Sequence, residues 1–334
     1  MQVGFFFWPY TPELCERLAE RADRYGFAMI GIADTPGNAM DPWMAATLVA
    51  RACRRARVAL CVTNLLTRHP AVSAAATASL DQISAGRAIL GIGAGHSGTK
   101  NLGFGKSTAQ ELAEAVAFIK TLLTGAPATL GTASAHLPWV KNAPPVFLAG
   151  SHRRTLEAAG RVADGAFVNF GLGPENIRAS EQHVANGAKA AGRPAGAVEV
   201  WQIAALDCSE DRELARNKIG AMLAFLAGYV IGGKNLEVRG VPAALHAPLV
   251  ELNRRYSTRP GAADIALVRE LGLFDYLSQR LSICGDPDDC LKQALAAKAA
   301  GARRLMLTVS LASDPVRTVE LFGDHVLPRL CEAS

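Results

Sequence analysis

A chain of 334 residues, half of them hydrophobic, can bury the core of one barrel domain or of two smaller domains. Its formal charge of +5 is small for that length, and its Lys and Arg residues are not gathered into tracts with interleaved aromatics, which argues against nucleic acid as a partner. The start MQVGFFFWPY lacks the basic segment of a secretory leader, and no stretch approaches the roughly eighteen uninterrupted apolar residues of a membrane span, so a cytoplasmic protein is expected.

Taken in order, Val3–Phe7 reads as a short aromatic strand and Pro12–Tyr25 as an amphipathic helix ended by Gly26. Ala28–Ala33 is a second strand running into Asp34-Thr35-Pro36-Gly37, and Pro42–Ala56 a helix. Val58–Thr63 and Ala88–Ile92 are too short for ordinary helices and aliphatic enough for buried strands; between them Ala71–Ile83 has helical spacing and is closed by Gly86. Thr108–Leu123 is a helix, and 126–143 is irregular. Val146–Ala149, Ala166–Phe170 and Val198–Leu206 are strands, separated by helices over Arg153–Ala163 and Pro174–Ala191. A helix over Asp211–Tyr229 follows, and 231–276 breaks the rhythm with helical pieces and glycines. Asp286–Ala300, Leu305–Val309 and Pro315–Leu330 complete the chain as helix, strand and helix.

Eight strand candidates alternate with helices, and no composition shift marks a linker. The expected fold is α/β: a single (β/α)8 TIM-barrel domain over residues 1–334, with 126–143 and 231–276 as insertions at its mouth. A doubly wound sheet is disfavoured because no G-x-G-x-x-G opens the first helix. Seven scattered cysteines (Cys15, Cys53, Cys61, Cys208, Cys284, Cys290, Cys331) without a C-x-x-C argue against a disulfide framework or a zinc site.

In such a barrel the chemistry lies at the carboxyl ends of the strands, which places Thr63, Asn64, Gly95, His96 and Ser97 together. Gly91-Ile92-Gly93-Ala94-Gly95-His96-Ser97-Gly98 has four glycines in eight positions, more than one tight turn needs, and suits the approach of a planar ligand to the backbone. His96 is either a general acid/base near neutral pH or an ordinary loop histidine. Asp34 either starts a solvated turn or belongs to the site. Gly150-Ser151-His152-Arg153-Arg154 puts three potential cations in a first helical turn, against the positive end of the helix dipole. An anion on the Gly150 and Ser151 amides would reverse that sign, whereas the plainer reading is a helix start with Ser151 as N-cap. Arg87 begins its strand at the opposite end of the barrel and reads as structural.

The stretch VTNLLTRHPAVSAAATASLDQISAGRAILGIGAG (62–95), with PPVFLAGSHRRTLEAAGRVADGAFVN (144–169) and SICGDPDDCLKQALAAKAAGARRLML (282–307), resembles the luciferase-like flavin and deazaflavin oxidoreductases, most closely the methylenetetrahydromethanopterin reductase branch. The resemblance implies an oxidoreductase holding coenzyme F420 or FMN across the carboxyl face, transferring hydride or activating dioxygen for a small organic substrate. A separate flavin reductase would supply reduced FMN. It places the cofactor phosphate at Gly150, Ser151 and His152, and the ring against Cys61 and Val62, whose peptide bond is expected to be cis. Thr63, Asn64, Ala94, Gly95, His96, Ser97 and Asn169 would line the cofactor. Asp34 and Thr35 would contact cofactor or substrate, with Asp34 and His96 as the catalytic candidates. The chain departs from the deazaflavin pattern at Thr35, where histidine is frequent, and at His96, where an acidic residue is. Its Phe5-Phe6-Phe7-Trp8 is apolar where methanopterin reductases carry acids, which points to an apolar substrate. A homodimer through the helices rich in Ala45, Ala46, Ala74, Ala75, Ala76 and Ala78 is also implied. The rival readings are a flavin-binding protein without turnover and an unrelated barrel enzyme acting on a phosphorylated metabolite.

Overall fold

The computed structural model describes residues 1–259 and 264–332. Its strands are, in chain order, β1 (Gln2–Phe7), β2 (Met29–Ile32), β3 (Arg57–Thr63), β4 (Ala88–Ile92), β5 (Ala128–Leu130), β6 (Ala133–Ala135), β7 (Val146–Gly150), β8 (Gly165–Val168), β9 (Glu199–Cys208), β10 (Ser282–Gly285) and β11 (Arg304–Thr308). The main sheet runs β10-β9-β11-β1-β2-β3-β4-β7-β8, and β8 pairs back onto β9, so eight parallel strands close into a cylinder. This is the expected barrel, with helices packed around it.

The strands differ from expectation in two places. The segment 126–143, expected to be irregular, contains the antiparallel hairpin β5–β6, turned at Gly131 with φ 59°. A ninth parallel strand, β10, is too short to stand out between the helix Phe274–Leu281 and the N-cap Asp286. It is possible because β9 is ten residues long: β8 takes its first part (Glu199–Gln202), β10 its last part (Ala205–Cys208), and β11 pairs with Gln202–Ala205.

The helices follow the sequence except where side chains intervene. Pro12–Tyr25 has its predicted bounds, with Thr11 accepting from the Leu14 amide and Gly26 left-handed at φ 75°. The helix expected over Pro42–Ala56 ends at Ala52. The Asp23 carboxylate accepts the amides of Arg54, Arg55 and Ala56, which draws those residues out of helical geometry. The helix 70–84 ends on two left-handed residues, Ala85 and then Gly86. The helix expected over Asp211–Tyr229 is two pieces, Arg212–Lys218 and Gly220–Val230. Gly220 presses so closely on the Ile265 carbonyl that a Cβ would lie 2.2 Å from it.

The hydrophobic residues divide into three layers. One, including Phe5 and Phe7, packs barrel against helices; a second fills the cylinder with Met29, Ile89, Phe147, Phe167, Trp201 and Met306; a third gathers the segment from Ile219 to Cys284 against Ala205 of β9. At the amino end of the cylinder, Glu199 accepts from the Trp201 indole (2.6 Å) and from Arg57 (2.7 Å). The six described cysteines are buried free thiols, Cys331 lying where no side chain is described. No described helix is long and apolar enough to cross a membrane.

Arg87 is the hub of the outer layer near β4. Its guanidinium donates to the carbonyls of Ala50, Cys53, Ala56 and Ser84, thereby capping the helices 42–52 and 70–84 at their negative ends. We expect Arg87→Ala to lower unfolding stability by about 2–4 kcal/mol, since several buried carbonyls lose charge-assisted partners. Urea denaturation followed by circular dichroism reads that loss, with ligand affinity of the folded fraction unchanged.

Candidate functional site

The loops after β2, β3, β4, β7 and β8 meet at the carboxyl rim, around a cleft of about 870 Å³ roofed by the helix 220–230. Of the residues singled out in the sequence, Asp34, Thr35, Cys61, Val62, Thr63, Asn64, Gly95, His96, Ser97, Gly150 and Asn169 line it. Ala94, Ser151 and His152 stand just behind. The Ala94 carbonyl accepts the Ser107 amide, Ser151 is buried beside the Tyr229 phenol, and His152 lies against Arg239.

The rim is fastened loop to loop. Thr63 donates to Asp34 Oδ2 at 2.7 Å, tying β3 to β2. Thr35 donates to Ser97 at 2.9 Å, tying β2 to β4. Gly98 allows the last approach, because a Cβ there would stand 2.7 Å from the Asp34 carbonyl. The Asn64 side-chain oxygen is engaged within its own loop, accepting the Leu66 and Thr67 amides, so its amide nitrogen is what remains for a ligand.

The Cys61–Val62 peptide is cis, and the β3–β4 register shifts between Leu60 and Thr63. Two of the glycines after it have a packing reason. A Cβ on Gly91 would lie 2.2 Å from the Leu60 carbonyl, and one on Gly93 would lie 2.8 Å from a Val62 methyl. Only Gly95 of that set needs positive φ (87°). Cys61 is buried, which pushes its thiol well above the ordinary range and leaves it unreactive.

His96 sits in an aromatic cage. Its ring sits among Phe225 (5.2 Å), Tyr229 (5.0 Å) and Tyr256 (6.2 Å, stacked), with Tyr256 Oη 3.4 Å from Nε2. Burial, then Lys106 and Lys100, lower its pKa from 6.5 to about 3, so it is a neutral ring across the physiological range. Asp34 shifts the other way: burial raises its pKa, against the lowering effect of the Thr63 hydrogen bond. Among the described lining residues it is the one carboxyl group.

The helix that begins at Arg153 has His152, not Ser151, at its N-cap, and no side chain caps it. Close by, two arginines lack carboxylate partners among the described residues. Arg280 is 8% exposed, its Nε has no partner, and its other nitrogens reach the Tyr276 hydroxyl and the Arg239 carbonyl. Arg239 is half-buried and lies on the His152 ring (3.0 and 3.4 Å). Its pKa is lowered by burial and by Arg280. Two desolvated like charges without a counter-ion are costly, and a bound anion relieves that cost. Sequence reading missed both, because each lies remote from any strand end it recognised. It missed the roof residues Met222, Phe225, Leu226 and Tyr229 for the same reason, although GAMLAFLAGYV (220–230), apolar on all sides, was a signal that this helix is enclosed.

A closed parallel barrel with its cleft at the carboxyl rim is the architecture of an α/β-barrel enzyme. The profile of the luciferase-like monooxygenases matches residues 11–304, and the chain belongs to that family of oxidoreductases. It is 27% identical over 338 residues to 5,10-methylenetetrahydromethanopterin reductase of Methanolobus tindarius, covering 98% of this chain and 100% of that one. With the Archaeoglobus fulgidus protein of the same name the identity is 26% over 344 residues, covering 99% and 100%. Among solved structures, the coenzyme F420-dependent tetrahydromethanopterin reductase of Methanopyrus kandleri superposes with a TM-score of 0.81 at 24% identity, covering 98% of this chain and 99% of that one. The oxygenating component of 3,6-diketocamphane monooxygenase of Pseudomonas putida, in complex with FMN, superposes at 0.67 with 17% identity, covering 98% and 99%.

Because the folded pKa of His96 lies below its unfolded value, its burial contributes stability above about pH 6.5 that is lost as pH falls toward about 3. Wild type should therefore lose stability over that window relative to His96→Phe, and NMR should show the His96 ring still neutral at pH 5. A ring titrating near its ordinary value would contradict the cage.

Proposed function

We propose that the chain is an oxidoreductase that uses coenzyme F420 or FMN, with F420 the favoured cofactor, to act on a small apolar substrate. The observation that carries this reading is an apolar cleft at the carboxyl rim with Arg239 and Arg280, which have no carboxylate partner among the described residues, behind its wall, against His152 and Gly171. A planar ring with an anionic tail fits both. The full-length likeness to methylenetetrahydromethanopterin reductases supports F420.

In this reading Arg239, Arg280 and the uncapped amides before Arg153 hold the anionic end. Asn169, whose buried Oδ1 has no partner, and the Asn64 amide nitrogen hold polar edges of the ring. Val62 and Ala149 form its apolar floor, above Gly93. When bound, F420 supplies hydride transfer, and reduced FMN supplies reaction with dioxygen. Asp34 holds or delivers the proton, poised by burial and kept in place by Thr63. His96, neutral, excludes water and completes the wall. Phe6, Trp8, Ile203, Met222 and Leu226 surround the substrate end, which selects against charged compounds. Thr35 stands where a histidine is frequent in deazaflavin relatives, so proton handling falls to Asp34.

Titration with F420 and FMN side by side, read by absorbance, is the deciding experiment; a protein binding neither overturns the reading. Arg280→Gln should weaken binding of the preferred cofactor at least tenfold and flatten its salt dependence, while leaving the fold intact by circular dichroism. Asp34→Asn should lower kcat by about 100-fold and remove the alkaline limb of the pH profile, where a proton donor is lost by ionisation, with cofactor affinity little changed.

We also propose a homodimer through the helices 42–52 and 70–84. Ala45, Ala46, Ala74 and Ala78 are engaged in the barrel's own packing, yet Met44, Val72 and Ile83 stand exposed beside them. Light scattering of wild type and Met44→Glu tests it, with the variant expected to be monomeric.

A further inference from the structure

The loops after β2 and β3 are fastened to each other twice. The inner fastening is the Thr63–Asp34 hydrogen bond at the cleft (2.7 Å). The outer one lies farther along the same two loops, where Arg68 donates to Asp41 Oδ2 at 3.1 Å. Each partner is placed by its own loop. Asp41 is the N-cap of the helix 42–52, and its Oδ1 accepts the Trp43 and Met44 amides, so its Oδ2 is turned to Arg68. Asn64 curls the other loop by accepting the Leu66 and Thr67 amides. The Arg68 guanidinium then rests 5.7 Å from the centre of the buried Trp43 ring. An ion pair between two anchored side chains loses little side-chain entropy on forming.

Both members of this pair act on Asp34. Burial raises the pKa of Asp34 and the Thr63 hydrogen bond lowers it; beyond these, the Asp41 carboxylate raises it and the Arg68 guanidinium lowers it. While paired, the two charges oppose each other at Asp34, and removing either one unmasks the other. The remaining groups around Asp34 do not take over that role. Among the described residues, the other ionisable side chains lining the cleft, Cys61, His96 and Tyr229, are each kept uncharged by burial. Lys100 and Lys106, on the loop after β4, lie over the Tyr256 and Tyr229 rings. From β1 and just beyond it come Phe6 and Trp8, which carry no charge.

We propose that Asp41 and Arg68 are positioning residues for Asp34, an outer clasp that keeps the two loops together and sets the pH at which the Asp34 carboxyl gives up its proton. The proposal rests on the functional reading above for Asp34 as the group that handles the proton. Loss of Arg68 leaves the Asp41 charge unopposed and keeps Asp34 protonated to higher pH. Loss of the Asp41 charge does the reverse. A clasp with a mechanical role alone would move Asp34 the same way when cut from either side, since either cut frees the same two loops.

The test is a 13C NMR titration of protein labelled at the aspartate carboxyl carbons, with Asp34 assigned as the signal missing from Asp34→Asn. It compares wild type, Arg68→Gln, Asp41→Asn, the double variant and Arg68→Lys. Asparagine still caps the helix 42–52, and glutamine keeps an apolar stem against Trp43. The Asp34 midpoint should rise by about 0.5 pH unit in Arg68→Gln and fall by about as much in Asp41→Asn. It should return close to the wild-type value in the double variant and in Arg68→Lys, and both single-variant shifts should shrink in about 1 M salt. Shifts of the same sign in the two single variants, or a midpoint that either of them leaves unmoved, overturn the proposal. The titration needs neither cofactor nor substrate. Wild type that binds neither F420 nor FMN therefore overturns the functional reading instead, and the midpoints decide this proposal by themselves.

Discussion

The length of β9 is the constraint on which the site depends. At ten residues it outlasts its barrel neighbour β8, and its free upper edge would expose unpaired amides and carbonyls if nothing joined it. β10 joins it, and in doing so anchors the far end of the excursion that leaves the barrel after β9. The helix 220–230 is thereby held over the rim as a roof. Arg280, two residues before β10, is set beside the loops after β7 and β8, where its carbonyl accepts the Leu172 amide. One backbone ladder positions both the apolar ceiling and the basic end.

Electrostatics then divide the cleft. In its middle, burial raises the pKa of Asp34 and lowers that of His96, each toward its uncharged form. Outside its wall, Arg239 and Arg280 add positive charge beside His152 and Gly171, and Lys100 and Lys106 lie over the Tyr256 and Tyr229 rings (5.2 and 5.5 Å).

The barrel was legible because β1, β3, β4 and β7 announce themselves by composition, and helices such as Pro12–Tyr25 carry both caps in local sequence. The rim residues Asp34, Thr63, Gly95 and Asn169 were legible for a related reason: each follows directly on a recognisable strand. What escaped was set by distance along the chain. The helix 42–52 stops early because of Asp23, some thirty residues before its end. The role of Gly93 depends on the Val62 side chain across the sheet. The rings of Phe225, Tyr229 and Tyr256 around His96 come from a segment with no strand rhythm. Arg280 carried no local sign at all, since only the missing carboxylate around it marks it out.

The excursion also packs around a core of its own, from Ile219 to Leu281, which meets the cylinder chiefly through Ala205 and Cys284. Scaffold and ceiling can therefore diverge at different rates: substitutions among the ceiling's leucines and alanines reshape what the enzyme admits while the strands beneath keep their register. A lineage carrying this chain can reshape the cleft's ceiling by drift in one appendage, with the strands beneath left in place.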